Sequence, residues 1–171
     1  MLYIFGGLPA AGKSTLSLRL AQHLRAVHLR IDTIEQAMRN AGAVLHGPEG
    51  YMVAYTVAGD NLRLGHTIIA ESVNPLEITR DAWRDVAVSA GVPFVEIEVI
   101  CSDKNEHHQR VVSRLVNIAG LTLPTWTQVV NREYEPWDRE HIVIDTAGVG
   151  IEDSFATLLQ SLHLHQVGNL H

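Results

Sequence analysis

Short apolar runs alternate with longer stretches of helical periodicity from one end of the chain to the other. Residues 2–5 read as a strand stopped by Gly6-Gly7, and residues 13–25 as a helix with Leu16, Leu20 and Leu24 stepping by four along one face. A second strand over 27–31 leads into a helix over about 33–39. A glycine- and proline-punctuated loop over 40–50 follows, then a helix over about 51–64. Residues 67–71 form a third strand. Asn74-Pro75 has the form of an N-cap followed by Pro at the first helical position, opening a helix to about residue 90. A fourth strand over 94–101, a helix over 103–118, a loop over 120–124 and a helix from 125 come next. A fifth strand over 141–145 and a closing helix over 152–165 complete the pattern.

Five strands separated by helices imply βαβ units, hence an α/β fold with a parallel sheet covered on both faces. One feature sits badly with that: Glu96 and Glu98 share a face of the fourth strand, where a covered strand is apolar. That face is expected to be partly open, near an edge of the sheet. No repeat, low-complexity tract or linker breaks the chain, so its 171 residues are read as one domain, large enough to bury a core without disulfides.

Composition narrows the function classes. With 46% hydrophobic and 19% charged residues the chain is an ordinary globular one. A formal charge of −6 and the lack of a basic stripe argue against nucleic acid as partner. The single cysteine, Cys101, fits a reducing compartment, and no apolar run approaches the ~20 residues that cross a bilayer. The start of the chain lacks the basic region of a signal peptide, so a cytoplasmic protein without membrane contact is expected.

The strongest chemical signal is Gly7-Leu8-Pro9-Ala10-Ala11-Gly12-Lys13-Ser14, a G-x-x-x-x-G-K-[ST] loop between a strand and a helix. Gly7 and Gly12 permit backbone angles that aim amide N–H groups at phosphate oxygens. Lys13 supplies a compact charge for the β- and γ-phosphates, Ser14 a hydroxyl for Mg²⁺, and Thr15 extends the nucleotide-binding set along the helix start. Of the 13 Lys and Arg residues only Lys13 and Lys104 are lysines, and one of them falls on the required position.

The rest of the chain points to a small kinase. There is no N-K-x-D for guanine, and Asp145-Thr146-Ala147-Gly148 follows the last strand rather than an early one, against a GTPase. The third strand ends Ala70-Glu71-Ser72 rather than Asp-Glu, against a ring-forming motor. Asp32, at the carboxyl end of the second strand, is a candidate to orient an acceptor hydroxyl; Asp32-Thr33-Ile34-Glu35 also has the form of a capping box, and the two roles are compatible. Arg110 and Arg114, four apart, are expected on one helix face as a grip on the transferring phosphate, or Arg110 simply pairs with Glu106. Arg132 is a third such candidate. Glu71 is placed to hold a Mg²⁺-bound water or to stand as a solvated strand end. Arg80 and Trp83 are candidates to line the acceptor pocket. Trp126, Tyr134 and Trp137 read as packing of a lid, and His107-His108, His163 and His165 as incidental.

Taken together, GLPAAGKSTLS, LRID, ESVNP, RVVSR and VIDTAG resemble the small P-loop kinases related to zeta toxin, chloramphenicol phosphotransferase, gluconate kinase, adenylylsulfate kinase and the polynucleotide kinase domain, over about residues 1–160. The resemblance implies a three-layer nucleoside-monophosphate-kinase-like fold with strand order 2-3-1-4-5 and a helical lid over about 103–135. By position, it implies that Asp32 orients the acceptor and that Arg110 and Arg114 are lid arginines. It also implies that the loop after Asp145, with Thr146, Ala147 and Gly148, touches adenine. The expected activity is ATP- and Mg²⁺-dependent phosphoryl transfer to a small hydroxylated acceptor. The rival is an ATP-binding regulatory module or slow ATPase, which has no use for an acceptor carboxylate.

Overall fold

A computed structural model describes residues 1–168. Its elements are β1 (Leu2–Gly6), α1 (Lys13–Leu24), β2 (Val27–Arg30), α2 (Ile31–Asn40), α3 (Glu49–Arg63), β3 (Ile68–Glu71), α4 (Glu77–Ser89), β4 (Phe94–Ile100), α5 (Lys104–Ser113), α6 (Trp126–Val130), β5 (Ile142–Asp145) and α7 (Ile151–Gly168). The strands form one parallel sheet in the order β2-β3-β1-β4-β5. That is the expected three-layer arrangement.

Burial on both faces explains why β1 is an unbroken apolar run. Every residue of this central strand is buried. Tyr3 and Phe5 point into one core with Leu16 and Leu20 of α1 and Leu158 and Leu162 of α7. Leu2 and Ile4 point into the other, with Ala54, Ala58 and Leu62 of α3 and Trp83 and Ala87 of α4. The alternation is the period of two of a strand.

The carboxylate face of β4 corrects an expectation. β4 does lie next to the edge strand, but its acidic face is closed. Glu96 is 5% exposed, and Arg84 of α4 donates from Nε to its Oε2 at 2.9 Å. Glu98 accepts from the Tyr134 hydroxyl at 2.8 Å and faces His141 Nε2 at 3.3 Å. Partnered carboxylates replace the apolar residues a covered strand would otherwise carry.

Two helix starts also differ from the pattern-based reading. α2 begins at Ile31 with Arg30 at its N-cap and no side-chain cap, so Asp32 is the second helical residue and closes no capping box. α4 begins at Glu77 rather than Pro75. Asn74 is no N-cap: it has φ +48, is fully buried, and donates from Nδ2 to the Phe5 carbonyl at 3.0 Å. α5 ends at Ser113, five residues short of the expected 118.

Candidate active site

The loop between β1 and α1 is shaped by backbone angles closed to most side chains. Gly7 (φ +128) lies against the Val99 carbonyl, where a Cβ would collide, and Gly12 (φ +105) lies against Thr146. Ala10 adopts φ +65, a conformation rare for a residue with a Cβ. α1 starts with no side-chain cap and no acidic residue in its first turn, which leaves its leading amides and positive end to an anion. Lys13 Nζ donates to the Leu8 carbonyl at 2.9 Å. Burial pushes the Lys13 ammonium down to about 8, while Glu71 and Asp32 act to keep it charged. Thr15 lines the cleft beside Lys13 and Ser14.

At the end of β3, buried Glu71 meets these residues. The Ser14 hydroxyl donates to its Oε1, and Ser17 Oγ donates to its Oε2 at 3.1 Å. His28 Nε2 stands 3.3 Å from Oε2 and Arg30 Nε 3.6 Å from Oε1. Burial alone would raise the Glu71 pKa; the hydrogen bond from His28, the Lys13 charge, Ser14 and Arg30 override it and hold the carboxyl at about 2. Among the described residues no cluster of three or more His, Cys, Asp or Glu could cage a metal by itself. A hydroxyl and one ionised carboxylate are instead the sparse oxygen set that suits Mg²⁺, which keeps several waters and takes phosphate oxygens.

Above the loop opens a cleft of about 1250 Å³. Asp32, Gln36, Tyr51, Arg110, Arg114 and Arg132 are among the residues that line it. Asp32 is half exposed, with Arg30 Nη2 3.7 Å away. Arg110 lies in the last turn of α5, and the Arg114 N–H still donates to its carbonyl at 3.1 Å. Arg110 donates from Nη1 to Thr146 Oγ1 at 2.7 Å, and from Nη2 to the Thr146 carbonyl at 2.8 Å and Glu106 Oε1 at 2.6 Å. Arg114 instead stands beyond the helix in extended backbone at the C-cap. Burial lowers its pKa, the Asp32 charge opposes that, and Arg30 reinforces it. Arg110 thus binds the loop after β5, while Arg114 feels the charge of Asp32.

Thr146 is the hinge between that loop and the cradle. Buried, it donates toward the Ala11 and Ile100 carbonyls at 2.9 and 3.0 Å. Asp145 Oδ1 accepts from the Ala147 amide at 3.0 Å, and Glu106 Oε2 from the Gly148 amide at 2.7 Å. Glu106 therefore does more than pair with Arg110; it fastens the loop to α5.

Other expected site residues lie away from the cleft. Arg80 and Trp83 are fully buried and line no acceptor pocket. Arg80 donates to the carbonyls of Asn74, Glu135 and Pro136 and lies 5.0 Å over the Trp137 ring; Trp83 packs edge-on against Tyr55. Trp137 and Tyr134 belong to the Glu98–His141 network rather than to a lid. Trp126 does pack against α5, on His107 and His108. Sequence reasoning missed His107, which is buried with Nε2 2.8 Å from the Pro9 carbonyl of the cradle. It also missed Tyr51 and Gln36, which line the cleft, and the His28–Ser17 support of Glu71.

The family model described as AAA domain, AAA_33, matches residues 2–120. The chain belongs to this family. A curated relative, "Probable adenylyl-sulfate kinase" of Aeropyrum pernix, is 28% identical over 168 residues, spanning 89% of this chain and 86% of the relative. Among solved structures, a Chloroflexus aurantiacus protein superposes with a TM-score of 0.71 at 23% identity, covering 95% of each chain. The Mycobacterium tuberculosis APS kinase CysC in complex with AMPPNP and APS gives 0.67 at 17%, covering 95% of this chain and 96% of that one. A gluconokinase from Sinorhizobium meliloti gives 0.65 at 16%, covering 98% and 94%. The fold is that of small P-loop kinases, and these neighbours differ in the acceptor their names carry.

Proposed function

We propose that this AAA_33 chain is an ATP- and Mg²⁺-dependent kinase that moves the γ-phosphoryl group of ATP to a hydroxyl of a small acceptor. The observation that carries the reading is the pairing of an anion cradle with a half-exposed carboxylate: Asp32 shares the cleft with Lys13, near enough to act on its charge. A protein that only binds nucleotide needs the cradle and has no use for Asp32. The kinase named among the curated relatives supports the same class.

In this reading the free N–H groups of the loop and of the α1 start, with the Lys13 ammonium, hold the β- and γ-phosphates. Ser14 would ligate Mg²⁺ directly and Glu71 through water, and the bound ion would supply charge neutralisation on the phosphate oxygens. Asp32 orients the acceptor hydroxyl and takes its proton as the new oxygen–phosphorus bond forms and ADP leaves with the bridging oxygen. A loose phosphoryl-transfer transition state demands orientation more than a strong base, so an ordinary carboxylate suffices. Arg114 stabilises charge on the transferring group, while Arg110 acts at one remove by holding Thr146. Thr146, Ala147 and Gly148 form the adenine-side wall. The total charge of −6 favours a small acceptor over a nucleic-acid end.

The test is label transfer. Incubated with γ-labelled ATP and a pool of soluble metabolites, the protein should place label in a small organic product. Label appearing only in inorganic phosphate would favour the slow ATPase instead.

A further inference from the structure

His107 does not line the cleft, yet it touches the cradle. It sits in the second turn of α5, is 6% exposed, and its Nε2 lies 2.8 Å from the Pro9 carbonyl. A carbonyl oxygen can only accept, so Nε2 carries the proton and His107 is the donor. The peptide it grips is the one between Pro9 and Ala10, and Ala10 is the single non-glycine residue of the cradle with positive φ. Pro9 and Ala10 form part of the cleft wall, whereas His107 approaches from behind. A carbonyl turned into the cleft would repel phosphate; turned back onto His107, it leaves the inward side of the loop to N–H groups.

Trp126 fixes the imidazole from the other side. Its ring packs edge-on against His107 at 5.4 Å and tilted against His108 at 5.0 Å. Trp126 opens α6, which a capping box of Thr125 and Gln128 holds in place. A chain of contacts therefore runs from the cradle through His107 to α6, whose Gln128, with Arg132 just beyond the helix, lines the cleft.

We propose that His107 is a positioning residue for the phosphate cradle, pinning the Pro9 carbonyl outward so that Ala10 keeps its left-handed conformation and the loop amides point at phosphate. The inference rests on the cradle binding nucleotide but not on any phosphoryl transfer.

Its test is ATP affinity by calorimetry. His107→Leu keeps the bulk and removes the donor, and should weaken ATP binding at least about tenfold. His107→Gln, which can still offer an N–H, should restore affinity to within about threefold of the native protein. Native affinity in His107→Leu, alongside the expected loss in Lys13→Ala, would overturn the role of His107 while leaving nucleotide binding intact. Equal losses in the Leu and Gln variants would overturn it too, since the donor would then be irrelevant. If His107→Leu fails to fold, long-range ¹H–¹⁵N spectra of the unaltered protein decide. A proton on Nε2 of His107 supports the proposal, and the neutral Nδ1–H form contradicts it.

Discussion

Arg110 holds Thr146 by both its hydroxyl and its carbonyl, at 2.7 and 2.8 Å. The bond joins α5 to the loop after β5, and Thr146 in turn donates toward Ala11 in the cradle. Three segments far apart in sequence meet on one threonine. Thr146→Val keeps the shape and deletes the hydroxyl, so its one proton is lost to the Ala11 carbonyl and Arg110 loses an acceptor, while the Ile100 carbonyl keeps the Thr146 N–H. Stability should fall by about 1–3 kcal/mol in urea denaturation. ATP affinity should fall with it, because the wall beside the cradle loosens. An unchanged midpoint and affinity would show that Thr146 merely fills space.

Lys13 is the cradle's only side-chain cation pointing at its own loop carbonyls, through Leu8. Lys13→Ala should lose at least about tenfold in ATP affinity by calorimetry, a difference of about 1.4 kcal/mol. Native affinity in this variant would remove the phosphate-cradle assignment altogether.

Glu71 and Ser14 make the metal requirement testable. Chelation by EDTA should abolish transfer while ATP still binds. Glu71→Gln keeps the shape but not the charge that His28 and Lys13 surround, and should raise the Mg²⁺ concentration for half-maximal rate about 10–100-fold, as is typical for outer-shell partners. Full-rate transfer in EDTA would contradict the role of both residues.

Arg84 and Glu96 form a buried pair, each 6% or less exposed at the side chain. Arg84→Leu strands the Glu96 carboxylate in the α3–α4 core and should destabilise by about 3–5 kcal/mol. The double variant Arg84→Leu/Glu96→Leu should recover most of that, measured by urea denaturation. A loss below about 1 kcal/mol in the single variant would mean that water reaches the carboxylate.

These pairs also show how much the sequence reveals. The cradle was legible because it is local: strand, glycines, Lys13 and helix lie within fourteen residues, and each is dictated by phosphate chemistry. The order of strands and helices was legible because burial on two faces writes long apolar runs. What stayed hidden depends on contacts across the fold. Glu96 looks like an open edge until Arg84 arrives from α4. Asn74 looks like a cap until its amide meets the Phe5 carbonyl across the sheet end. Arg80 looks like a ligand-binding arginine, but it satisfies three backbone carbonyls. His107 gives no local hint of the carbonyl it holds 98 residues away.

In the proposed reading, Asp32 is what makes this chain a kinase and not only a nucleotide-binding module. Asp32 lies in the first turn of α2 without capping it, so Asp32→Asn should cost only about 0.3–1 kcal/mol, from the lost charge near the helix N-terminus. ATP affinity should be near native, since the cradle is untouched. The decisive measurement is the rate of label transfer from γ-labelled ATP to the acceptor, at saturating ATP, in native protein and Asp32→Asn. The expected result is intact binding with transfer slowed about 10²–10⁴-fold, the usual cost of losing a general acid–base group. Native transfer in Asp32→Asn would contradict the account.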